Sequence, residues 1–178
     1  MANIESIVLG AGCFWCTEVV FKQLRGVVTV VPGYAGGELA NPNYEQVCGG
    51  DTGHAEVIKV DFESDQISLE TLLEVFFSIH NPTTLNQQGH DVGTQYRSVV
   101  FFNMPEQESV VKSKVLQLTN EHIYPDPIVT EIKLLDKFYE AEDYHHDYFK
   151  KNPDKVYCQL VINPKLQKFK EKWVKLLK

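Results

Sequence analysis

The sequence predicts a mixed α/β fold whose first six elements run β-α-β-β-α-β, with further helices and strands towards the C-terminus. Three observations carry this. Short apolar, β-branched runs occupy 6–10, 27–34, 54–62 and 96–102; helical spacing of apolar residues marks 14–24 and 68–80; glycine, proline and asparagine punctuate the intervals.

Taken in order, Ser6 to Gly10 reads as a short buried strand, and Gly10-Ala11-Gly12 as a turn. Phe14 to Leu24 reads as a helix, with Gly26 just past its end as a common helix stop. Val27 to Tyr34 is a strand, and the glycine- and asparagine-rich stretch Ala35 to Gly53 is a long loop. His54 to Phe62 is a second strong strand. Ser68 then caps a helix whose Leu69, Leu72, Leu73, Phe76 and Phe77 recur at helical spacing and which ends near His80, before Pro82. A polar loop runs to Gln95, and Tyr96 to Phe102 closes the set as a strand. Beyond it, Pro105 starts a polar helix at a position that tolerates proline. Ile128 to Leu135 reads as a strand, Glu140 to Lys151 as a helix and Val156 to Ile162 as a strand, and Asn163-Pro164 opens the last helix.

The order β-α-β-β-α-β is that of an elaborated ferredoxin-like unit, two helices packed on one face of an antiparallel sheet. Two of its connections are about 15 to 20 residues long, and loops of that length usually carry function. The 178 residues, 43% of them apolar, suffice for one domain over 1–178 with an ordinary core, with 155–178 as a C-terminal extension.

The formal charge of −7 argues against a nucleic-acid partner, because phosphate binding needs a basic surface. The one basic stretch, Lys165 to Lys178, interleaves its lysines with Leu166, Phe169, Trp173 and Leu177, as an amphipathic helix does when it packs on its own domain. Ile7-Val8-Leu9 is far too short for a signal segment or a membrane span, so a cytoplasmic location and no membrane partner are expected. Four cysteines in a chain of this length do not resemble a secreted disulfide framework.

Cys13 lies at the expected head of a helix, where unpaired N–H groups and the helix dipole favour negative charge. Its thiol is therefore expected to ionise more readily than a free one, and Cys16 follows at +3. A zinc site built from Cys13 and Cys16 with Cys48, His54 or Cys158 would need a second CxxC or an HxxxH, and the chain has neither. Glu56 is the clearest anomaly. Strand alternation puts it on one face with Ile58, Val60 and Phe62, while Lys59 and Asp61 point the other way. A carboxyl there is costly to ionise, so its pKa should rise towards neutrality, as a general acid requires. A strand-end glutamate reaching solvent beside Gly53 is the alternative. Tyr44 and Tyr96 sit in or beside the long loops and could donate to a developing oxyanion. His145 and His146 read as a solvated or packing pair.

The segments GCFWC, GYAGG, NPNYEQVCGGDTGHAE, HNPTTLNQQGHDVGTQYRS and FYEAEDYHHDYFKKNP together resemble the peptide methionine sulfoxide reductase A family, in order, over about residues 8 to 158. The resemblance implies a cofactor-free thiol oxidoreductase for the S epimer of methionine sulfoxide, free or in proteins, that works as a monomer and repairs oxidative damage. Cys13 matches the nucleophile and Glu56 the proton donor. Tyr44 and Tyr96 match the tyrosines that bond the sulfoxide oxygen, Asp91 the acid that orients the site, and Phe14 and Trp15 the pair enclosing the methyl group. Thioredoxin, or dithiothreitol in its place, is the implied external reductant. Cys158 resembles the C-terminal recycling cysteine, whereas Cys16 stands where a glycine is common, so either thiol could resolve Cys13 and a relay through both is open. Cys48 follows a family position and reads as structural. His90 stands where many relatives carry asparagine.

Overall fold

A computed structural model describes all residues, 1–178. Its main sheet has six strands. The central four are β1 (Ile4–Ala11), β2 (Val27–Ala35), β3 (Ala55–Glu63) and β6 (Ser98–Phe102), all paired antiparallel. Their order, β6-β1-β3-β2, is that of the ferredoxin-like unit expected from the sequence. Helices α1 (Phe14–Lys22) and α3 (Leu69–Ser78) bury Phe14, Val20 and Phe21, and Leu72, Leu73 and Phe76, against Ile7, Leu9, Ile58, Val60 and Phe62 of the sheet. Ser68 caps α3 by accepting the Thr71 amide at 3.1 Å. Gly12, at φ +87°, lets the chain turn from β1 directly into α1, a conformation that a side chain at this position would strain.

Both long connections hold short elements. The first carries α2 (Tyr44–Cys48), started by a capping box between Asn43 and Gln46. The second carries the small hairpin β4 (Gln87–Gln88) and β5 (Asp91–Val92), then a 3₁₀ turn over Thr94–Tyr96. After β6, α4 (Pro105–Asn120) returns the chain to β7 (Glu131–Leu134), which pairs parallel to β6. No helix is long and apolar enough to cross a membrane.

The C-terminal third corrects two expectations. Residues 140–151 are not one helix. Strand β8 (Phe138–Glu140) pairs with β2, a 3₁₀ turn covers Asp143–His145, and α5 (Tyr148–Lys151) is a single turn. Asp147 adopts a left-handed φ of 54°, which a continuous helix cannot pass through. Residues 156–162 are not a strand either; Cys158–Ile162 is a π-helical turn running into α6 (Asn163–Lys172). The alternation of Val156, Cys158, Leu160 and Ile162 mimics a strand. In the fold, Cys158 and Ile162, four apart, are both 0% exposed, while Val156 and Leu160 are 69% and 71% exposed. That is a helical spacing. The basic tail packs as an amphipathic helix, burying Leu166 and Phe169, and Leu177 bridges back to Leu24.

Candidate active site

Cys13 is the residue before α1, at the end of the strand that lies between β3 and β6. Glu56, near the start of β3, faces the same helix: its Oε2 accepts the Phe14 amide at 3.2 Å. Glu56 is 2% exposed and shares its face with Ile58, Val60 and Phe62, so it does not reach solvent at the strand end. Burial pushes its pKa up to about 8 against the pull of the Phe14 amide, with the nearby Asp91 and Cys16 adding to the rise. At pH 7 this carboxyl mostly holds its proton.

The loops bring the two tyrosines to Glu56. Tyr44 is the first residue of α2, and Tyr96 ends the 3₁₀ turn after the hairpin. Burial, and then the charge of Glu56, raise both phenols well above the ordinary tyrosine range, so both are O–H donors. Arg97 ties the two loops together, donating from Nη2 to the Gly53 carbonyl and from Nη1 to the Thr94 carbonyl, each at 2.9 Å. Asp91 accepts the Tyr157 hydroxyl at 2.8 Å, which attaches the hairpin to the C-terminal segment. His90, beside it in the hairpin turn, is exposed.

Aromatic side chains wall the site. Phe14 is buried and stacks towards Tyr44 with ring centroids 6.5 Å apart at 19°. Trp15 lies flat on Tyr148 at 3.7 Å and meets Tyr157 edge-on at 5.9 Å. The Trp15 indole N–H donates to His145 Nδ1 at 3.0 Å. That bond fixes the tautomer, leaving the proton on Nε2, which makes no hydrogen bond and lies 3.7 Å from Glu142 Oε2. His145 is fully buried, and burial pushes its pKa down to about 4, so it stays neutral. Glu142 accepts from the Tyr34 hydroxyl at 3.1 Å and from the Tyr44 amide at 3.2 Å. Sequence reasoning missed Tyr34, Glu142, His145, Tyr148 and Tyr157. The aromatic density of YEAEDYHHDYF was a signal, but reading the segment as a helix hid which residues turn inward.

All four cysteines are free. Cys13, Cys16 and Cys158 fall into one small apolar cluster with Ile162, Trp15, Val19, Tyr148 and Tyr157. The structure thus brings both candidate resolving thiols to one place. Cys48, expected to be structural, is exposed at the end of α2 and within hydrogen-bond reach of Tyr44. The expectation that Cys13 ionises readily is reversed. Burial, a hydrogen bond to Cys16 and the charge of Glu56 push its thiol well above the ordinary value, against a weaker pull from the Trp15 amide. Cys16 moves down, chiefly because Cys13 donates to it, with Lys165 and Tyr157 helping. No group of three or more His, Cys, Asp or Glu side chains is placed to hold a metal ion.

Comparison with known proteins gives a consistent result. Residues 5–177 match a family model described as peptide methionine sulfoxide reductase. The chain is 49% identical over 177 residues to peptide methionine sulfoxide reductase MsrA of Polynucleobacter asymbioticus, covering 99% of this chain and 93% of that one. Among solved structures it resembles reduced Mxr1 from Saccharomyces cerevisiae, with a TM-score of 0.80, 36% identity and coverage of 88% and 90% of the two chains. It also resembles Mxr1 in complex with Trx2, with a TM-score of 0.57, 25% identity and coverage of 81% and 85%.

Proposed function

Because the chain belongs to the peptide methionine sulfoxide reductase family, and so is an oxidoreductase of that class, we propose the following cycle for its own residues. Cys13 attacks the sulfur of a methionine S-sulfoxide, free or within a protein. Glu56 gives its proton to the sulfoxide oxygen, while the Tyr44 and Tyr96 hydroxyls hold that oxygen. Phe14 and Trp15 enclose the methyl group, and Asp91, with Tyr157, orients the site. Methionine leaves and Cys13 becomes a sulfenic acid. Cys16 or Cys158 then displaces the hydroxyl as water to form a disulfide, and thioredoxin reduces it. The relative crystallised with Trx2 supports the choice of reductant. A reducing cytoplasm suits a chain with four free thiols.

One observation carries the reading. A carboxyl that holds its proton near pH 7 is buried beside the candidate nucleophile, where ordinary disulfide exchange would have no use for it. The test supplies the protein with dithiothreitol and the two separated epimers of a methionine sulfoxide peptide. The S epimer is reduced, the R epimer is not, and Cys13→Ser reduces neither. Reduction of neither epimer by the unsubstituted protein, or full turnover by Cys13→Ser, overturns the reading.

A further inference from the structure

A cleft of about 690 Å³ opens beside the cysteine cluster and takes no part in the cycle above. One wall is α6. Ile162, the residue before that helix, lies in one apolar cluster with Cys13. Lys165, Lys168 and Lys172 follow at helical spacing along the face that borders the cleft. The row therefore starts about 4.5 Å along the axis from Ile162 and runs on for about another 10 Å. Gln88 of β4 joins the two places. It lines the cleft, and its side-chain carbons pack so closely on Gly12 that a Cβ there would stand 2.8 Å from Cγ. The turn that carries Cys13 and the start of the lysine row are thus neighbours.

The cleft is positively charged and its cations are free. Asp126 is the one acidic residue in the lining. The three lysines are exposed and none meets a carboxylate, whereas Lys22, Lys112, Lys114 and Lys133 all form ion pairs. Other polar groups of the lining are already engaged. His80 meets the Phe76 carbonyl at 2.6 Å and the Ser98 hydroxyl at 2.8 Å. The Gln88 amide accepts from the Asn81 N–H and donates to the Asn81 carbonyl. Hydrogen bonds also fix the far wall: the Trp173 indole donates to Ser78 Oγ at 3.2 Å, and the Tyr124 hydroxyl donates to the Phe77 carbonyl. In a chain of formal charge −7, a preformed cleft with three free lysines suits an anionic occupant.

We propose that this cleft is a substrate subsite: it holds an acidic stretch of the polypeptide that carries the methionine sulfoxide, so that sulfoxides with aspartate or glutamate nearby are favoured. This rests on the sulfoxide-reductase reading and deepens it by naming a substrate class. An extended chain rises about 3.3 Å per residue, so a segment leaving Cys13 passes the three lysines about two to five residues from the sulfoxide. The occupant is a segment of substrate and not the surface of thioredoxin. A cleft of this volume fits a few residues of extended chain, whereas a folded carrier docks on roughly 800 Å² of broad surface. Free methionine sulfoxide gains nothing from it.

Dithiothreitol as reductant leaves only the substrate to fill the cleft. S-sulfoxide peptides are made with a run of aspartates, or of asparagines of the same shape, on the N-terminal or the C-terminal side of the sulfoxide. At low ionic strength one of the aspartate peptides is expected to show a KM about five- to tenfold below its asparagine counterpart, with kcat alike. Added salt should close the gap. In the double variant Lys168→Gln/Lys172→Gln the ratio should fall to about twofold or less, Lys165 being left in place beside the cysteines. Each ratio compares two peptides on one protein, so a loss of folded enzyme does not mimic the effect. Equal KM values within both pairs on the unsubstituted protein, or an undiminished ratio in the double variant, overturn the proposal. So does a variant whose only defect appears when thioredoxin replaces dithiothreitol, which assigns the cleft to the carrier. Reduction of none of the peptides instead sinks the sulfoxide-reductase reading itself.

Discussion

Residues 4–102 and residues 138–162 meet at one site but are built on different principles. Outside its two long loops the first region is regular: strand register places Glu56 on β3, and the turn from β1 sets Cys13 at the head of a helix packed on the sheet. The second is a strand of three residues, single turns and a left-handed Asp147, held by side-chain bonds such as Trp15 to His145, Tyr157 to Asp91 and Tyr34 to Glu142. The reacting groups thus belong to the rigid frame and much of the wall around them to the irregular segment. A rigid frame can hold a carboxyl at an unfavourable protonation state, because the surrounding packing meets the cost. An irregular segment tied by individual hydrogen bonds shapes the site and is easier to loosen.

The largest expected effect tests the frame. Glu56→Gln keeps the shape and the Phe14 amide contact but has no proton to give. We expect kcat/KM to fall about 10²- to 10⁴-fold, while Cys13 still reacts with alkylating agents. The same variant changes the pH dependence of folding. Burial raises the Glu56 pKa to about 8 in the folded protein, from about 4.5 for the unfolded chain. Its burial costs nothing below about pH 4.5, and the stability it permits is lost as pH rises through 8, by up to about 5 kcal/mol. Glutamine removes that slope. Denaturant unfolding from pH 5 to 8.5 should show a decline in the parent that the variant lacks. Unchanged turnover would remove Glu56 as the acid.

How much of this was legible in the sequence follows the same division. Glu56 could be found because a strand alternates faces, and a carboxyl among Ile58, Val60 and Phe62 breaks the alternation. The four central strands and both packing helices could be found by period alone. Tyr34 of the frame was read only as part of a strand, its bond to Glu142 unseen. His145 and Tyr148 could not be found, since their placement depends on the left-handed turn at Asp147, which no period encodes. Cys158 and Ile162 were misplaced because Val156 and Leu160 alternate with them by chance. The Cys13 ionisation was misjudged for a related reason. The helix start was visible, whereas the burial and the Cys16 hydrogen bond that outweigh it arise only in three dimensions.

A middle-sized effect tests the wall. His145→Phe keeps an aromatic ring against Phe14, Tyr44 and Tyr144, with centroids now at 4.9, 4.5 and 4.0 Å, but cannot accept from Trp15. The lost hydrogen bond costs about 1 kcal/mol, and removing the Nε2–H, which makes no hydrogen bond though it lies 3.7 Å from Glu142 Oε2, offsets part of it, so thermal stability should move little. Activity should move instead. With its indole N–H unbonded, Trp15 loses one restraint on its orientation, and kcat/KM should drop about tenfold, mostly through KM. A loss of stability with unchanged kinetics would mean that the segment only packs against the frame and does not shape its site.

The smallest effect tests what fixes the segment's path. Asp147 holds a left-handed φ of 54° while its carboxylate lies 2.6 Å from Lys22 Nζ on α1. The pair is partly exposed, with side chains 46% and 32% accessible, so the contact contributes under about 1 kcal/mol. Glycine would relieve the left-handed strain by about 1 kcal/mol, less what its greater freedom in the unfolded chain takes back. Asp147→Gly should therefore shift stability by less than about 0.5 kcal/mol in low salt. In high salt, where the Lys22 pair is screened, the variant should gain relative to the parent. If it instead loses 2 kcal/mol or more, the ion pair, and not the backbone turn, is what fastens the wall to the frame.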